Sequence, residues 1–337
     1  MNEKGNNPIL EVSNLTVTIK DPKRPLRPVR GVSFCVEKAQ RVCLVGESGC
    51  GKTMTAFSIM RLLPEERFDI TGNIKFDGKD ILSLPLDSMR PLRGRYMAMV
   101  FQEPMTALNP VLSIGFQIKE AITTHKMAQG EKARSLVLST MARVGIPEPE
   151  LVYNQYPHEL SGGLRQRVMI AMALVCNPKL LIADEPTTAL DVSIQAQILD
   201  LICNLSTTMD LALLLISHNL GVVARIAQRV MVMYAGTIVE DGPVKEIFDS
   251  PIHPYTKGLL ASVPYGKNMK RKRLSSIPGR VPSLNEIPEG CAFSNRCRFA
   301  KGICEKKAPV LETVNPSHKV ACHLARELST NISGPTT

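Results

Sequence analysis

The sequence predicts an α/β fold, and three observations carry that prediction. The apolar run Val42–Val45 leads into a glycine-rich loop, Gly46 to Thr53, and from there into the helical pattern TMTAFSIMRLL. A second short apolar run, Leu180–Ala183, ends in two adjacent carboxylates, and a third, in LLLISHNL, ends beside His218. Apolar runs of this length, bounded by loop signals, read as buried strands.

The loop matches G-x-x-x-x-G-K-[ST] throughout, with Gly46, Glu47, Ser48, Gly49, Cys50, Gly51, Lys52 and Thr53 in the eight places. Glycines let such a loop curl so that backbone N–H groups face phosphate oxygens, and the helix starting near Lys52 adds its positive end. A chance glycine turn would lack the strand before it and the helix after it. Lys52 is the candidate contact to β- and γ-phosphates, and Thr53 a candidate Mg²⁺ ligand. In HELSGGLRQRVMIAMAL, Ser161 is a natural N-cap, and Gly162 and Gly163 leave N–H groups exposed at a helix start, a second anion site. One nucleotide already has its loop, so this second terminus needs another role. In KLLIADEPTTALD, Asp184 at a strand end can hold Mg²⁺ or its water shell, and Glu185 can polarise an attacking water. Two buried, unpaired acids would be costly as mere structure.

Composition bounds the reading. The chain has 337 residues, 44% hydrophobic and 21% charged, which suits two domains or one large domain with an appendage. MNEKGNNPILEV lacks the apolar run of a secretory signal, and the longest apolar stretches, such as LALLLI, fall far short of the ~20 residues that span a bilayer. The expectation is a soluble, intracellular protein. Nine cysteines in that setting argue against a disulfide framework, and Cys35, Cys43, Cys50, Cys176 and Cys203 read as small buried hydrophobes. The net charge of +10 comes largely from Pro251–Leu284, which holds seven Lys or Arg and no Asp or Glu. Its basic run, Lys267–Arg273, has no aromatic neighbours to stack on bases, so a solvated linker is favoured over attraction to anionic lipid or an acidic partner.

Taken together, these motifs resemble the ATP-binding subunits of ABC transporters, whose signature is matched by LSGG at Leu160–Gly163. The resemblance covers roughly residues 9 to 250. It implies a RecA-like P-loop NTPase core with an antiparallel β subdomain and a helical subdomain, here within 1–250 and about 94–165. It also implies two ATPase subunits facing head to tail, with the Ser161–Gly163 terminus of one closing on the γ-phosphate held by the other. Gln102 in VFQEP resembles the Mg²⁺-sensing loop, Ala189, Leu190 and Asp191 the D-loop, and His218 the switch histidine. Glu185, His218, Gln102 and Lys52 are then the catalytic candidates, and Thr53, Gln102 and Asp184 the Mg²⁺ ligands. Two departures stand out. Leu164 occupies a place where Gln is common, and Ile19 replaces the aromatic that many relatives stack on adenine, so no stacking residue is assigned.

The tail narrows the resemblance. SPIHPYTKGLLASVP opens a segment, 251–290, punctuated by Pro264, Pro278, Pro282 and Pro288; a cysteine-rich domain (291–325) and a tail expected to lack order (326–337) follow. HPYT with such an extension is similar to the ATPase subunits of bacterial oligopeptide and dipeptide (peptide/nickel) importers. That similarity implies two membrane permeases, a second related ATPase or a second copy of this chain, an extracytoplasmic solute-binding protein, and a place on the cytoplasmic face of the membrane. Nickel chelates, glutathione or antimicrobial peptides are alternative cargoes. The spacing C-x5-C-x6-C-x17-C, at Cys291, Cys297, Cys304 and Cys322, lacks the paired C-x2-C of common zinc modules. Four thiolates in a loop suit an iron–sulfur cube, and some similar importer ATPases carry a [4Fe–4S] cluster in such a tail. The expected occupant is that cluster, with zinc, or no metal, as the alternatives. A stapling role for a small loop-rich domain is the expected purpose, and His323 is expected to be a neighbour rather than a ligand.

Two other classes compete. ABC ATPases that act on nucleic acid usually carry coiled coils or fused cassettes, and this chain has one cassette and no sustained heptads, so no nucleic-acid partner is expected. A degenerate structural subunit would not need Glu185 and His218.

Overall fold

The computed structural model describes residues 8–21, 24–103, 107–188, 190–262 and 277–330, with the side chain of residue 330 left aside. Ala189, Pro264, the basic run Lys267–Arg273 and residues 331–337 lie outside the described residues. Along the chain run β1 (Leu10–Ile19), β2 (Leu26–Val36), β3 (Arg41–Val45), α1 (Lys52–Ile59), β4 (Phe68–Phe76), β5 (Lys79–Asp80), α2 (Leu86–Met89) and β6 (Met97–Val100). Helices α3 (Ile114–Thr124), α4 (Gly130–Arg143), α5 (Pro149–Asn154) and α6 (Gly162–Leu174) follow. Then come β7 (Leu180–Asp184), α7 (Val192–Thr208), β8 (Ala212–Ser217), α8 (Leu220–Ile226), β9 (Arg229–Tyr234) and β10 (Thr237–Pro243). The rest holds α9 (Val244–Asp249), α10 (Pro254–Ala261), α11 (Gly302–Lys306), β11 (Glu312–Asn315), β12 (His318–Val320) and α12 (Ala325–Thr330).

These elements gather into two compact units that interleave along the sequence. The first takes in 75–215 with short stretches near 8–10 and 36–41. In it, β6 runs parallel to β7, with Met97 opposite Leu180 and Val100 opposite Ala183, and β8 lies on β7's other side. Every residue of β7 is buried, as the unbroken apolar run LLIA requires of a strand covered on both faces. Helix α6 packs on β6 and against α3, α4 and α7. Buried Gln117, in α3, orders the preceding loop by accepting from Asn109 N (2.9 Å) and donating to Asn109 O (3.0 Å) and Leu112 O (2.8 Å).

The second unit holds 11–35, 42–74 and the chain from 216 onward. Here β3 runs parallel to β9, β9 turns back antiparallel into β10, and a register shift falls between Ile238 and Glu240. The cysteine-bearing extension adds to this sheet. Strand β12 pairs antiparallel with β10 (Glu240 opposite Val320, Asp241 opposite Lys319), and β11 pairs with β12. Ile252, Val320, Leu324, Ala325 and Leu328 make a small core beneath it, with Phe299 and Val314 at its edge. A second, antiparallel sheet is ordered β2-β1-β4, and the half-buried alternation of β1 marks one face packed and one open.

Glu240 has no exposed surface. Its carboxylate accepts the backbone N–H of Ile252 (2.7 Å) and of His253 (3.2 Å), and lies 2.8 Å from His318 Nε2. One buried charge thus joins β10, the start of α10 and β12. His253 caps α10, its Nδ1 accepting the N–H of Tyr255 (3.0 Å), with Pro254 at the first helical position. Among the described residues no helix is long and apolar enough to cross a membrane.

Burial lowers the pKa of His253 to about 4 against the partial opposition of Glu240. A histidine held neutral in the fold and charged in the unfolded chain stabilises fully above its unfolded value near 6.5. That contribution is lost as pH falls from there toward 4. Thermal melts should show stability dropping across pH 6.5 to 4 by a few kcal/mol from this residue, and His253→Asn, which keeps a capping oxygen, should flatten that slope. An unchanged slope in the variant would assign the acid sensitivity elsewhere.

Candidate functional site

The strand-to-helix turn expected at Gly46–Thr53 is in place, with β3 ending at Val45 and α1 beginning at Lys52. Two glycines make the turn possible. Gly51, the N-cap of α1, has φ +107, and a Cβ there would strike the Pro28 carbonyl; Gly46, at φ +156, would strike the Met233 carbonyl. Lys52 folds back over the loop and is 5% exposed, its Nζ donating to Gly46 O (2.9 Å) and Glu47 O (3.1 Å). Cys50 is fully buried, and burial raises its pKa although Lys52 pulls the other way. Ser48 and Gly49 are exposed, and Thr53 sits half-buried in the first turn of α1. A loop of this shape can cradle an anion with backbone N–H groups and one ammonium.

In the other unit, Asp184 ends β7 and is 2% exposed. Glu185 follows with φ +44, the left-handed region, which a non-glycine residue adopts at a cost of about 1–3 kcal/mol. Its Oε2 accepts from Gln102 Nε2 (3.3 Å) and from Thr188 Oγ1 (3.2 Å). Gln102 and Glu185, 83 residues apart, are therefore brought together. Thr188 carries no sequence signal of its own beyond lying in the same EPTT stretch. Ser161 caps α6 by accepting the N–H of Leu164 (3.4 Å), leaving Gly162 exposed, and Asp191 caps α7 by accepting that of Ile194 (2.9 Å). His218 is exposed directly after β8, beside Asn219, which caps α8 through the N–H groups of Gly221 and Val222.

The HPYT segment reaches the phosphate loop. Tyr255 Oη accepts the backbone N–H of Glu47 (2.9 Å). Its ring packs with Tyr234 (4.6 Å between centroids) and Phe293 (5.5 Å), and burial pushes its phenol pKa up. In the sequence HPYT reads as a family marker only. The contact spans 208 residues and leaves no local signal.

No group of three or more His, Cys, Asp or Glu among the described residues is arranged to hold a metal ion. Of the four cysteines of the extension, Cys304 is buried and Cys291, Cys297 and Cys322 are half-buried. Burial, then neighbouring sulfurs, raise the pKa of Cys291 and Cys297, and that of Cys322 reaches about 11. Cys291 N donates to Cys304 O (2.7 Å), while His323 Nε2 lies 2.8 Å from Lys307 O.

Residues 29–188 match the family model described as ABC transporter, and 239–304 match that of the oligopeptide/dipeptide transporter, C-terminal region. The chain is 48% identical over 95% of its length, and 96% of the relative's, to a probable peptide ABC transporter ATP-binding protein, y4tR, of Sinorhizobium fredii. It is 48% identical, over 94% of each chain, to the dipeptide transport ATP-binding protein DppD of Bacillus subtilis. Among solved structures it resembles the dimeric post-hydrolysis ATP-binding cassette MJ0796 bound to ADP and Pi. That match has a TM-score of 0.63 and 26% identity, over 70% of this chain and 98% of the cassette.

Removing the Tyr255 hydroxyl leaves the Glu47 N–H without its acceptor inside the loop. Tyr255→Phe should therefore cost about 1–2 kcal/mol and lower the melting temperature by about 1–3 °C. A melt indistinguishable from wild type would show that the hydroxyl does not hold the loop.

Proposed function

The chain belongs to the ABC transporter ATP-binding proteins of the peptide/dipeptide importer family, and on that premise we propose that it binds and hydrolyses ATP to power import of di- or oligopeptides through membrane permease subunits. The observation that carries the reading is the Gln102–Glu185 contact at the end of β7, next to a buried Asp184. Hydrolysis needs a carboxylate held by a neighbouring side chain and aimed at a water, and this pairing supports that role for Glu185.

Lys52 and the N–H groups of Gly46–Thr53 bind the phosphates, and Lys52 and His218 stabilise charge that builds on the γ-phosphate. Glu185 orients the attacking water and takes its proton. Family likeness assigns Thr53, Gln102 and Asp184 to Mg²⁺, which when bound would offset charge on the phosphate oxygens. The exposed cap at Ser161, with Gly162, Gly163 and Asp191, serves the nucleotide of a partner ATPase subunit, either a related chain or a second copy. Loss of the γ-phosphate then opens the pair, which is the mechanical output. The region about 94–165 receives the permeases, and exposed Val111, Phe116, Leu151 and Tyr156 suit such docking. The protein works at the cytoplasmic face of the membrane, with a solute-binding protein on the other side.

Cys291, Cys297, Cys304 and Cys322 would hold a [4Fe–4S] cluster, with zinc, or no metal, the alternatives. The donor chemistry of four thiols in one short extension supports this reading. The cluster would staple a segment with little core of its own.

Glu185→Gln should cut ATP turnover of the reconstituted complex by about 100-fold or more. Unchanged hydrolysis and transport would remove Glu185 from the role of base. Anaerobic purification should yield about four iron and four sulfide per chain. One equivalent of zinc, or no metal, would overturn the iron–sulfur assignment.

A further inference from the structure

Glu47 is the second residue of the phosphate loop, and its carboxylate is gripped from the far end of the chain. Arg296 donates from Nη1 to Glu47 Oε2 (2.8 Å) and from Nη2 to Oε1 (3.2 Å), a two-pronged pair spanning 249 residues. The Arg296 side chain is 6% exposed and that of Glu47 30%. The guanidinium is itself fixed. Nε donates to Pro278 O (2.9 Å), Nη1 also to Tyr234 Oη (3.3 Å), and its carbon lies 5.8 Å and 5.9 Å from the ring centres of Tyr234 and Phe293. On the same residue of the loop, Tyr255 takes the Glu47 N–H. The short helical turn Ser294–Arg296 that carries the guanidinium sits between Cys291 and Cys297.

From this geometry we infer that the cysteine-bearing extension sets the charge and shape of the phosphate loop, with Arg296 a positioning residue for nucleotide binding that acts through Glu47. The inference rests on the ATPase reading and deepens it. A carboxylate in a loop that must receive a polyphosphate repels its ligand unless the charge is neutralised and drawn aside. Arg296 does both, by two hydrogen bonds that turn the carboxylate toward the extension. Removing the guanidinium leaves the loop with an uncompensated negative charge. By reciprocity, whatever displaces the Ser294–Arg296 turn weakens nucleotide binding, and bound nucleotide steadies the turn.

The test uses the purified full chain, and the N-methylanthraniloyl derivative of ATP as probe. Arg296→Ala should weaken binding about tenfold. The double variant Arg296→Ala/Glu47→Gln should regain most of that loss, because a neutral amide no longer repels phosphate. In the assembled transporter, Arg296→Ala should raise KM for ATP more than it lowers kcat. Arg296→Met, which keeps the packing on Tyr234 and Phe293, is measured in parallel, so that either folded variant decides. Affinity within about twofold of wild type in the single variants overturns the inference, as does a double variant no better than Arg296→Ala. If wild type fails to bind the probe, the ATPase reading fails first and this inference falls with it.

Discussion

The second unit depends on one buried charge. Glu240 has no exposed surface, and a carboxylate so placed must collect its hydrogen bonds from the protein. It takes two consecutive N–H groups at the start of α10, Ile252 and His253, and faces His318 of β12. Removing any of those partners would leave the charge underserved, so the three segments are held as a set. The HPYT segment therefore starts where it does, and β12 continues the sheet at β10 rather than hanging as a separate appendage.

From that anchor the constraint passes to the phosphate loop. With His253 capping α10, the next residues turn so that Tyr255 reaches the Glu47 N–H, and its ring packs at a tilt against Tyr234 and Phe293. Phe293 in turn sits at the head of the turn that presents Arg296 to Glu47. A loop rich in glycine has little stiffness of its own. Here the rigidity comes from aromatic packing and two polar contacts supplied by the extension, while Lys52 closes the loop from inside.

The first unit shows a different economy. Its chemistry-bearing residues are placed by strand ends and helix caps, which are local devices. Asp184 and Glu185 fall at the end of β7, and Ser161 and Asp191 each accept an N–H three residues on. The left-handed backbone at Glu185 is the exception, and its strain coincides with the side chain that Gln102 and Thr188 hold.

Much of this architecture is legible in the order of the amino acids. The strand–loop–helix at Val42–Thr53, the buried run Leu180–Ala183 and the cap at Ser161 are contiguous patterns, and their hydrogen bonds close within a few residues. Sequence alone determined those elements and the glycine loop between them, because backbone geometry and side-chain period act at short range. The meeting of Gln102 with Glu185 follows from family likeness, not from spacing. Tyr255 and Arg296 on Glu47, Thr188 on Glu185, and the Glu240 clamp were decided only by tertiary structure. Contacts across 208 and 249 residues leave no periodicity to read, since they depend on which strands pair and which charges burial forces together.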